Sequence, residues 1–364
     1  MTTTSTNVMG SSSELDTDTS LPDGAWDSHV HIADEVSNQL DNHTPEKERK
    51  RKMHRASFNI QSPIHVLQDK FPYHPSHPYR PKKADLDDLL TFQQTQGIAH
   101  SCLVAFSVYH TDNSILLDAL RRLNLNGSRG RAVACVDSQT VTDTELQDLH
   151  NAGVRGIRLN FRTSGIRLDD DDDAFAILLT QAADRIRPFG WVLQLYVSLD
   201  QIAQFAAVVP RLGVSVVIDH LGHPDPSGGP PRLQRGYKEF MHLLGSAGSG
   251  RVYTKLSGVY RFDDLPELDS YVQDILAAAP DRVVWASDWP HSGGVSGNRN
   301  GDRHRVQQYR KVDDQRWIAQ CKTWCRLVGQ NSSDELVRKI WVDNPRRLWQ
   351  YDEEGTKSPV RSTL

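Results

Sequence analysis

Short apolar segments alternate with amphipathic segments along most of this chain. Eight of the apolar segments are rich in Val, Ile, Leu and aromatic residues, and they form continuous runs rather than a strict apolar–polar alternation. Continuous runs are typical of parallel strands that are buried on both faces. The predicted strands are WDSHVHI (26–32), HSCLVAF (100–106), RAVACVD (131–137), VRGIRLN (154–160), WVLQLYV (191–197), SVVIDH (215–220), VYTKLSG (252–258) and VVWASDW (283–289).

The segments between these runs carry apolar residues three and four positions apart, which predicts amphipathic helices. After the first connection, successive predicted strands begin 23 to 37 residues apart, which is the length of a β-α repeat. A glycine stands just before several strands, where a residue in the left-handed conformation would end the preceding helix. These glycines are Gly97, Gly153, Gly190 and Gly213.

Eight consecutive β-α units predict an α/β fold, a (β/α)₈ or TIM barrel. We expect a disordered tail over residues 1–24, the barrel over residues 25–352 and a polar tail over residues 353–364. An open, doubly wound sheet is the alternative. That fold favours a Gly-rich phosphate-binding turn after its first strand, and the string HVHIADE provides none.

A long insertion, residues 33–99, follows the first predicted strand. Its segment FPYHPSHPYRP (71–81) predicts an ordered flap over the barrel mouth, because long loops in compact domains often act as lids. The basic cluster near residues 46–55 is expected to be a solvated surface, with a nuclear import signal as the alternative.

The composition limits which classes of binding partner and which cellular location we expect. The chain has 364 residues, 24% of them charged, and a formal net charge of −4, so nothing indicates a nucleic-acid partner. No run approaches the roughly 18 apolar residues of a membrane helix. The first residues lack the basic start and apolar core of a secretory signal. Four cysteines, expected to be free core thiols, favour a reducing cytoplasmic location.

Candidate chemistry lies where the predicted strands end, because barrel active sites form at the carboxyl ends of the strands. His29 and His31 are two residues apart, so both side chains face the same side of the first strand. His220 ends the sixth predicted strand, and Asp288 lies at the end of the eighth. A structural histidine pair and a carboxylate that only caps a loop are the alternatives.

Other strand ends offer groups that could bind a substrate. Arg158 lies within the apolar run GIRLNF, and a buried arginine needs an anion, either an internal carboxylate or a carboxylate of the substrate. Gln194 and Tyr196 are two residues apart on the fifth strand. Ser107 follows the second strand and Arg261 follows the seventh.

Several motifs together resemble the amidohydrolase superfamily, in particular the amidohydrolase-related branch that includes 2-pyrone-4,6-dicarboxylate lactonase. DSHVHI resembles the D-x-H-x-H of its first strand, VVIDHLGHP its D-H-x-G and ASDWPH its D-W-P-H. SVYHTDN and VDNPRRL resemble two further motifs of the branch. The resemblance covers roughly residues 25 to 350. Arg162 and Arg261 depart from the spacing that the branch shows for its additional arginines.

The resemblance implies a hydrolase that opens a cyclic ester, with a small carboxylated lactone as its partner and with neither nucleic acid nor membrane. Asp288 would act as the general base on water, and three histidines would polarise the scissile carbonyl. These histidines are His29, His31 and His220. The residues implied or considered for substrate binding are Ser107, Arg158, Tyr196, Tyr79, Arg261 and His291.

The branch is understood to work without a metal. The fifth strand of this chain offers Gln194 and Tyr196, which are poor zinc ligands, so no cofactor is expected. The alternative is one zinc ion held by His29, His31 and Asp288, in a zinc-dependent decarboxylase or hydratase of the same superfamily. A non-catalytic barrel that acts as a binding protein is the second alternative.

Overall fold

The structure is a computed structural model. It describes residues 18–34, 71–125, 127, 129–162, 172–245, 250–262, 264–298 and 301–351. The predicted basic cluster near residues 46–55, the predicted tail over 353–364 and most of the predicted tail over 1–24 lie outside the described residues.

Eight parallel strands form one sheet, and each strand is hydrogen-bonded to the next strand in chain order. The sheet closes on itself through a parallel bridge between Val30 and Trp289. The strands are β1 (Trp26–Val30), β2 (His100–Val104), β3 (Gly130–Ala134), β4 (Val154–Asn160), β5 (Val192–Tyr196), β6 (Ser215–Ile218), β7 (Val252–Leu256) and β8 (Val283–Trp285). The predicted (β/α)₈ barrel is confirmed, and the open sheet is wrong.

Helices connect the strands in the described part of the chain. They are α1 (Leu86–Gln96), α2 (Ser114–Leu123), α3 (Asp143–Asn151), α4 (Asp172–Ile186), α5 (Leu199–Phe205), α6 (Tyr237–Leu244), α7 (Leu268–Ala278), α8 (Asp314–Gly329), α9 (Ser333–Arg338) and α10 (Asn344–Leu348). The predicted role of glycine is clearest at Gly97, which caps α1 with a φ of +73°. No helix of the described residues is long and apolar enough to cross a membrane.

Side-chain alternation along the strands separates two apolar layers. Leu193 packs in the layer that contains the helices, whereas Val192 belongs to a second cluster inside the barrel. Trp26, Val217 and Trp349 belong to the same interior cluster and fill the barrel below the mouth. The end of the barrel at which the strands terminate therefore rests on a packed apolar layer.

The end of the insertion is fixed beside the barrel mouth. Arg80–Pro81 pairs in parallel with Val306–Gln307 of the segment after β8, and Ala33 forms a bridge with Ala84. These contacts hold the segment that carries Tyr79 over the carboxyl ends of the strands.

Candidate active site

A cluster of three histidines and one aspartate lies at the carboxyl ends of β1, β6 and β8. His29 Nε2 lies 3.1 Å from His31 Nε2 and 3.8 Å from Asp288 Oδ1. His220 Nε2 lies 3.8 Å from Asp288 Oδ2. All four side chains are buried. The structure thus brings together the four residues that the sequence proposed for catalysis.

The two carboxylate oxygens of Asp288 differ in their hydrogen bonds. Oδ2 accepts hydrogen bonds from Tyr260 Oη at 2.6 Å and from Arg261 Nη2 at 2.7 Å. Oδ1 has no hydrogen-bond partner among the described residues and faces His29. Burial would raise the pKa of Asp288, but the Arg261 guanidinium holds this pKa well below its usual range. Oδ1 is therefore an ionised oxygen that is free to accept a proton.

The three histidines are neutral at ordinary pH. Burial lowers the pKa of His31 to about 3 and that of His220 to about 4, and it also lowers the pKa of His29. Ser257 Oγ lies 2.9 Å from His220 Nδ1 and fixes the orientation of that ring. The rings therefore act through neutral hydrogen-bonding groups and carry no charge.

Asp27, from the same first-strand motif, links the first strand to the segment that follows the last strand. Its carboxylate accepts hydrogen bonds from the backbone N–H of Ser287 at 3.0 Å and of His29 at 3.2 Å. The Asp288 backbone N–H in turn donates to the His29 carbonyl. These bonds bring the histidine pair and Asp288 together, although they are about 260 residues apart in sequence.

A buried polar layer lies directly beneath the cluster. Asp219 Oδ2 accepts hydrogen bonds from Gln194 Nε2 at 3.0 Å and from Arg158 Nη2 at 3.3 Å. Lys255 Nζ lies 3.3 Å from Asp219 Oδ1 and 3.1 Å from His29 Nδ1. Burial would raise the pKa of Asp219, but the Lys255 charge keeps this pKa well below its usual range. Arg158 thus meets an internal carboxylate, which was one of its two expected partners.

The cluster opens into a cavity of about 280 Å³. Four arginines line this cavity, and no carboxylate is among its described lining residues. The arginines are Arg158, Arg162, Arg261 and Arg310. Because guanidinium groups bind carboxylates in paired, charge-assisted hydrogen bonds, the cavity suits a small polyanion.

The other residues proposed for substrate binding also line the cavity, with one exception. Tyr79 Oη lies 3.1 Å from Ser107 Oγ, and the Tyr196 ring lies beneath Arg158 at 5.2 Å. His291 is not among the described lining residues. Its Nε2 lies 3.2 Å from Asp314 Oδ1, on the side of α8.

Sequence reasoning missed two buried groups of the site. Lys255 lies inside the run VYTKLSG, and the argument applied to Arg158, that a buried cation needs an anion, would have found it. Tyr260 stands next to Arg261 and donates to Asp288. Arg310 carried no signal, because a loop's sequence does not give its position over the mouth.

Among the residues that the structure describes, two groups of side chains could hold a metal ion. The first is His29, His31 and Asp288, and the second is His29, Asp219 and His220. In each group the ligand atoms lie within 4.8 Å of one another. Two cations adjoin these atoms: Arg261 contacts Asp288, and Lys255 contacts His29. The surroundings of both groups therefore fit a divalent cation poorly.

Comparison with known proteins places this geometry in a family. The family model described as Amidohydrolase matches residues 26–350. The chain belongs to this amidohydrolase family. The resemblance drawn from the strand-end motifs is confirmed.

Curated relatives of this amidohydrolase include lactone hydrolases. It is 27% identical over 342 residues to 4-sulfomuconolactone hydrolase of Rhizobium radiobacter, which covers 90% of this chain and 91% of the relative. It is 28% identical over 300 residues to 2-pyrone-4,6-dicarboxylate hydrolase of Comamonas testosteroni, which covers 78% of this chain and 87% of the relative.

Solved structures show the same barrel. A Pseudomonas putida protein, provisionally named 2-pyrone-4,6-dicarboxylic acid hydrolase, has a TM-score of 0.62 and 26% identity, and the match covers 92% of this amidohydrolase and 100% of that chain. A Burkholderia multivorans amidohydrolase with bound zinc has a TM-score of 0.57 and 17% identity, covering 90% and 99% of the two chains. At this identity the second match concerns the fold alone.

Proposed function

We propose that this amidohydrolase hydrolyses the ester bond of a small lactone that carries carboxylate groups. The observation that carries the proposal is the ionised Oδ1 of Asp288, which has no hydrogen-bond partner in the described part of the chain. It lies beside neutral imidazoles, below a cavity that four arginines line. The names of the two relatives, both lactone hydrolases, support the same chemistry.

In the proposed mechanism a water molecule attacks the lactone carbonyl while Asp288 Oδ1 takes a proton from it. His29 and His220 stabilise the negative charge that develops on the carbonyl oxygen, whereas the single N–H of His31 donates to the Val104 carbonyl. The ring C–O bond then breaks, and the leaving enol or alkoxide oxygen receives the proton from Asp288. Tyr260 and Arg261, which donate to Oδ2, keep the carboxylate oriented throughout.

We assign the substrate's charged groups to the arginines that line the cavity. Arg158 has an Nε without a hydrogen-bond partner among the described residues, although its Nη2 contacts Asp219. Ser107, Tyr79 and Tyr196 lie around it and offer hydroxyl groups. We assign these side chains to a substrate carboxylate, which would fix the ring orientation relative to Asp288.

A panel of lactones tests the substrate class. We expect kcat/KM to rise by about 10-fold or more for each carboxylate on the ring, because each would gain charge-assisted hydrogen bonds. The matched control is the methyl ester of the same lactone, which keeps the shape and removes the charge. Equal kcat/KM values for the acid and its methyl ester would contradict the proposal.

We also propose that the hydrolysis needs no metal ion. The cations beside both candidate ligand groups support this, since Lys255 and Arg261 already contact His29 and Asp288. Protein treated with chelator, and shown by elemental analysis to lack stoichiometric metal, should keep its full kcat. One zinc per chain, with activity lost on chelation and restored by zinc, would instead favour the zinc-dependent decarboxylase or hydratase.

The pH profile of kcat/KM should be flat from neutral pH to about pH 5 and fall as the pH drops through about 4. Burial lowers the pKa of His220 to about 4, with Asp288 opposing this shift and the Arg261 charge adding to it. Below that pH the imidazolium would pair with Asp288 and weaken the base. Initial rates, corrected for spontaneous hydrolysis, check this. A decline near pH 6.5, the ordinary pKa of histidine, would contradict it.

A cytoplasmic location is part of the proposal. It rests on the four cysteines, which are all free thiols in the structure. Cys321 and Cys325 are buried and unpaired although they lie one helical turn apart on α8. Free thiols in such positions persist in a reducing compartment.

A further inference from the structure

Lys255 occupies the middle of the barrel interior, beneath the catalytic cluster. It lies on β7 and its side chain is fully buried. Its Nζ donates a hydrogen bond to Gln194 Oε1 at 2.8 Å and lies 3.1 Å from His29 Nδ1. Asp219 Oδ1, at 3.3 Å, supplies the opposite charge. The ammonium is thus surrounded by three groups that can accept a hydrogen bond from it or balance its charge.

This contact determines where His29 carries its proton. An ammonium nitrogen has only donors, so His29 Nδ1 must accept from Lys255. A neutral imidazole carries one N–H, which then lies on Nε2. His29 Nε2 can donate to His31 Nε2 at 3.1 Å, and His31 Nδ1 donates to the Val104 carbonyl at 2.8 Å. In this series of hydrogen bonds, Lys255 donates to His29, His29 donates to His31, and His31 donates to the Val104 carbonyl.

The opposite tautomer has weaker support in the geometry. It would require His29 Nδ1–H to donate to Asp219 Oδ1, which lies 3.5 Å away. Asp219 Oδ1 already has the Lys255 ammonium 3.3 Å away, and Lys255 Nζ, at 3.1 Å, is closer to His29 Nδ1 than Asp219 is. That tautomer matters for metal binding. When Nδ1–H donates to a carboxylate, Nε2 carries no proton and can bind a metal, as in histidines that are metal ligands.

We infer that Lys255 is a positioning residue that fixes the proton of His29 on Nε2, the nitrogen that faces His31 and Asp288, and thereby prevents Nε2 from serving as a metal ligand. The catalytic part of this inference rests on the proposed lactone hydrolysis. The tautomer and the metal preference stand independently of any substrate.

The tautomer can be read directly in the wild-type protein. Long-range ¹H–¹⁵N correlation spectra of protein labelled with ¹⁵N-histidine distinguish a protonated nitrogen from a bare one, and comparison with His29→Gln assigns the signals. We expect His29 to show a proton on Nε2 and a bare Nδ1. A proton on Nδ1 would overturn the inference, whatever the enzyme hydrolyses.

Lys255→Met tests the consequences. We expect His29 to move to the Nδ1–H tautomer, kcat to fall by about 10²-fold with KM within about threefold, and zinc binding, measured by calorimetry, to become detectable. Lys322→Met is the matched control, since Lys322 is also largely buried and paired with an aspartate, Asp18, away from the site.

Each outcome of the variant experiment decides the question. An unchanged tautomer with only a lower melting temperature would show a merely structural role for Lys255 and would overturn the inference. If Lys255→Met does not fold, Lys255→Arg retains the charge that Asp219 needs, and the wild-type spectrum still gives the tautomer. A shifted tautomer in a protein inactive on every lactone would leave the inference standing and contradict the proposed function.

Discussion

Asp288→Asn should lower kcat by about 10³-fold and leave KM within about threefold of the wild-type value. The amide cannot take a proton from water, whereas the ionised Oδ1 can. The change keeps the size of the side chain, and an amide oxygen can still accept from Tyr260 and Arg261, which now contact Oδ2. Substrate binding should therefore survive the loss of turnover.

The chain offers a close control for this substitution. Asp274, on α7, is also paired with an arginine and a tyrosine, because it accepts hydrogen bonds from Arg232 Nε at 2.8 Å and from Tyr237 Oη at 2.9 Å. It lies on the outside of the barrel, so Asp274→Asn should leave kcat unchanged. Steady-state kinetics on one carboxylated lactone measures both variants.

A kcat for Asp288→Asn within about tenfold of wild type would remove Asp288 from the role of base. A large rise in KM with kcat preserved would instead assign the carboxylate to substrate binding. Melting temperatures of both variants separate these results from a loss of folded protein.

The part of the site carried by strands could be predicted from the sequence. Strand periodicity places His29 and His31 on one side, and the barrel rule places every strand end at one mouth. Asp288 needed only one further fact, that the first and last strands of a barrel are neighbours. The Val30–Trp289 bridge provides that contact.

What could not be predicted lies outside that periodicity. Lys255 carried a signal, as a cation within the apolar run VYTKLSG, but a continuous apolar run does not indicate which side chains face the barrel axis. His291 comes after β8 has ended, where strand phase no longer gives a direction, and its φ of +67° is outside the strand region. Its ring contacts Asp314 of α8, a partner that nothing in the string ASDWPH indicates.

The backbone conformation at the site could not be predicted from the sequence either. His220, Leu221 and Asp288 have positive φ values, of 51°, 56° and 63°. Non-glycine residues adopt this conformation rarely and tend to do so at functional sites. The surrounding hydrogen bonds, such as that between Ser257 Oγ and His220 Nδ1, come from other strands and were not readable from the local sequence.

Arg158→Met should raise KM for a carboxylated lactone by about 10²-fold and lower kcat by a smaller factor. The Arg158 side chain is only 4% exposed, so a substrate carboxylate bound there would be shielded from water and its hydrogen bonds would be strong. Its Nε is unpartnered within the described chain, and the Tyr196 ring supports the guanidinium plane. Loss of these donors removes binding that substrate and transition state share.

Arg155→Met is the control, because Arg155 lies on the same strand, three residues earlier, and donates to the His150 and Val154 carbonyls away from the mouth. The methyl ester of the lactone provides a second control, since its KM should differ little between wild type and Arg158→Met. If Arg158→Met weakened the acid and the ester equally, the effect would come from the lost contact with Asp219, 3.3 Å away, rather than from a lost carboxylate contact. A rise confined to the acid would place the charged group of the substrate at Arg158, beside the cluster that contains Asp288.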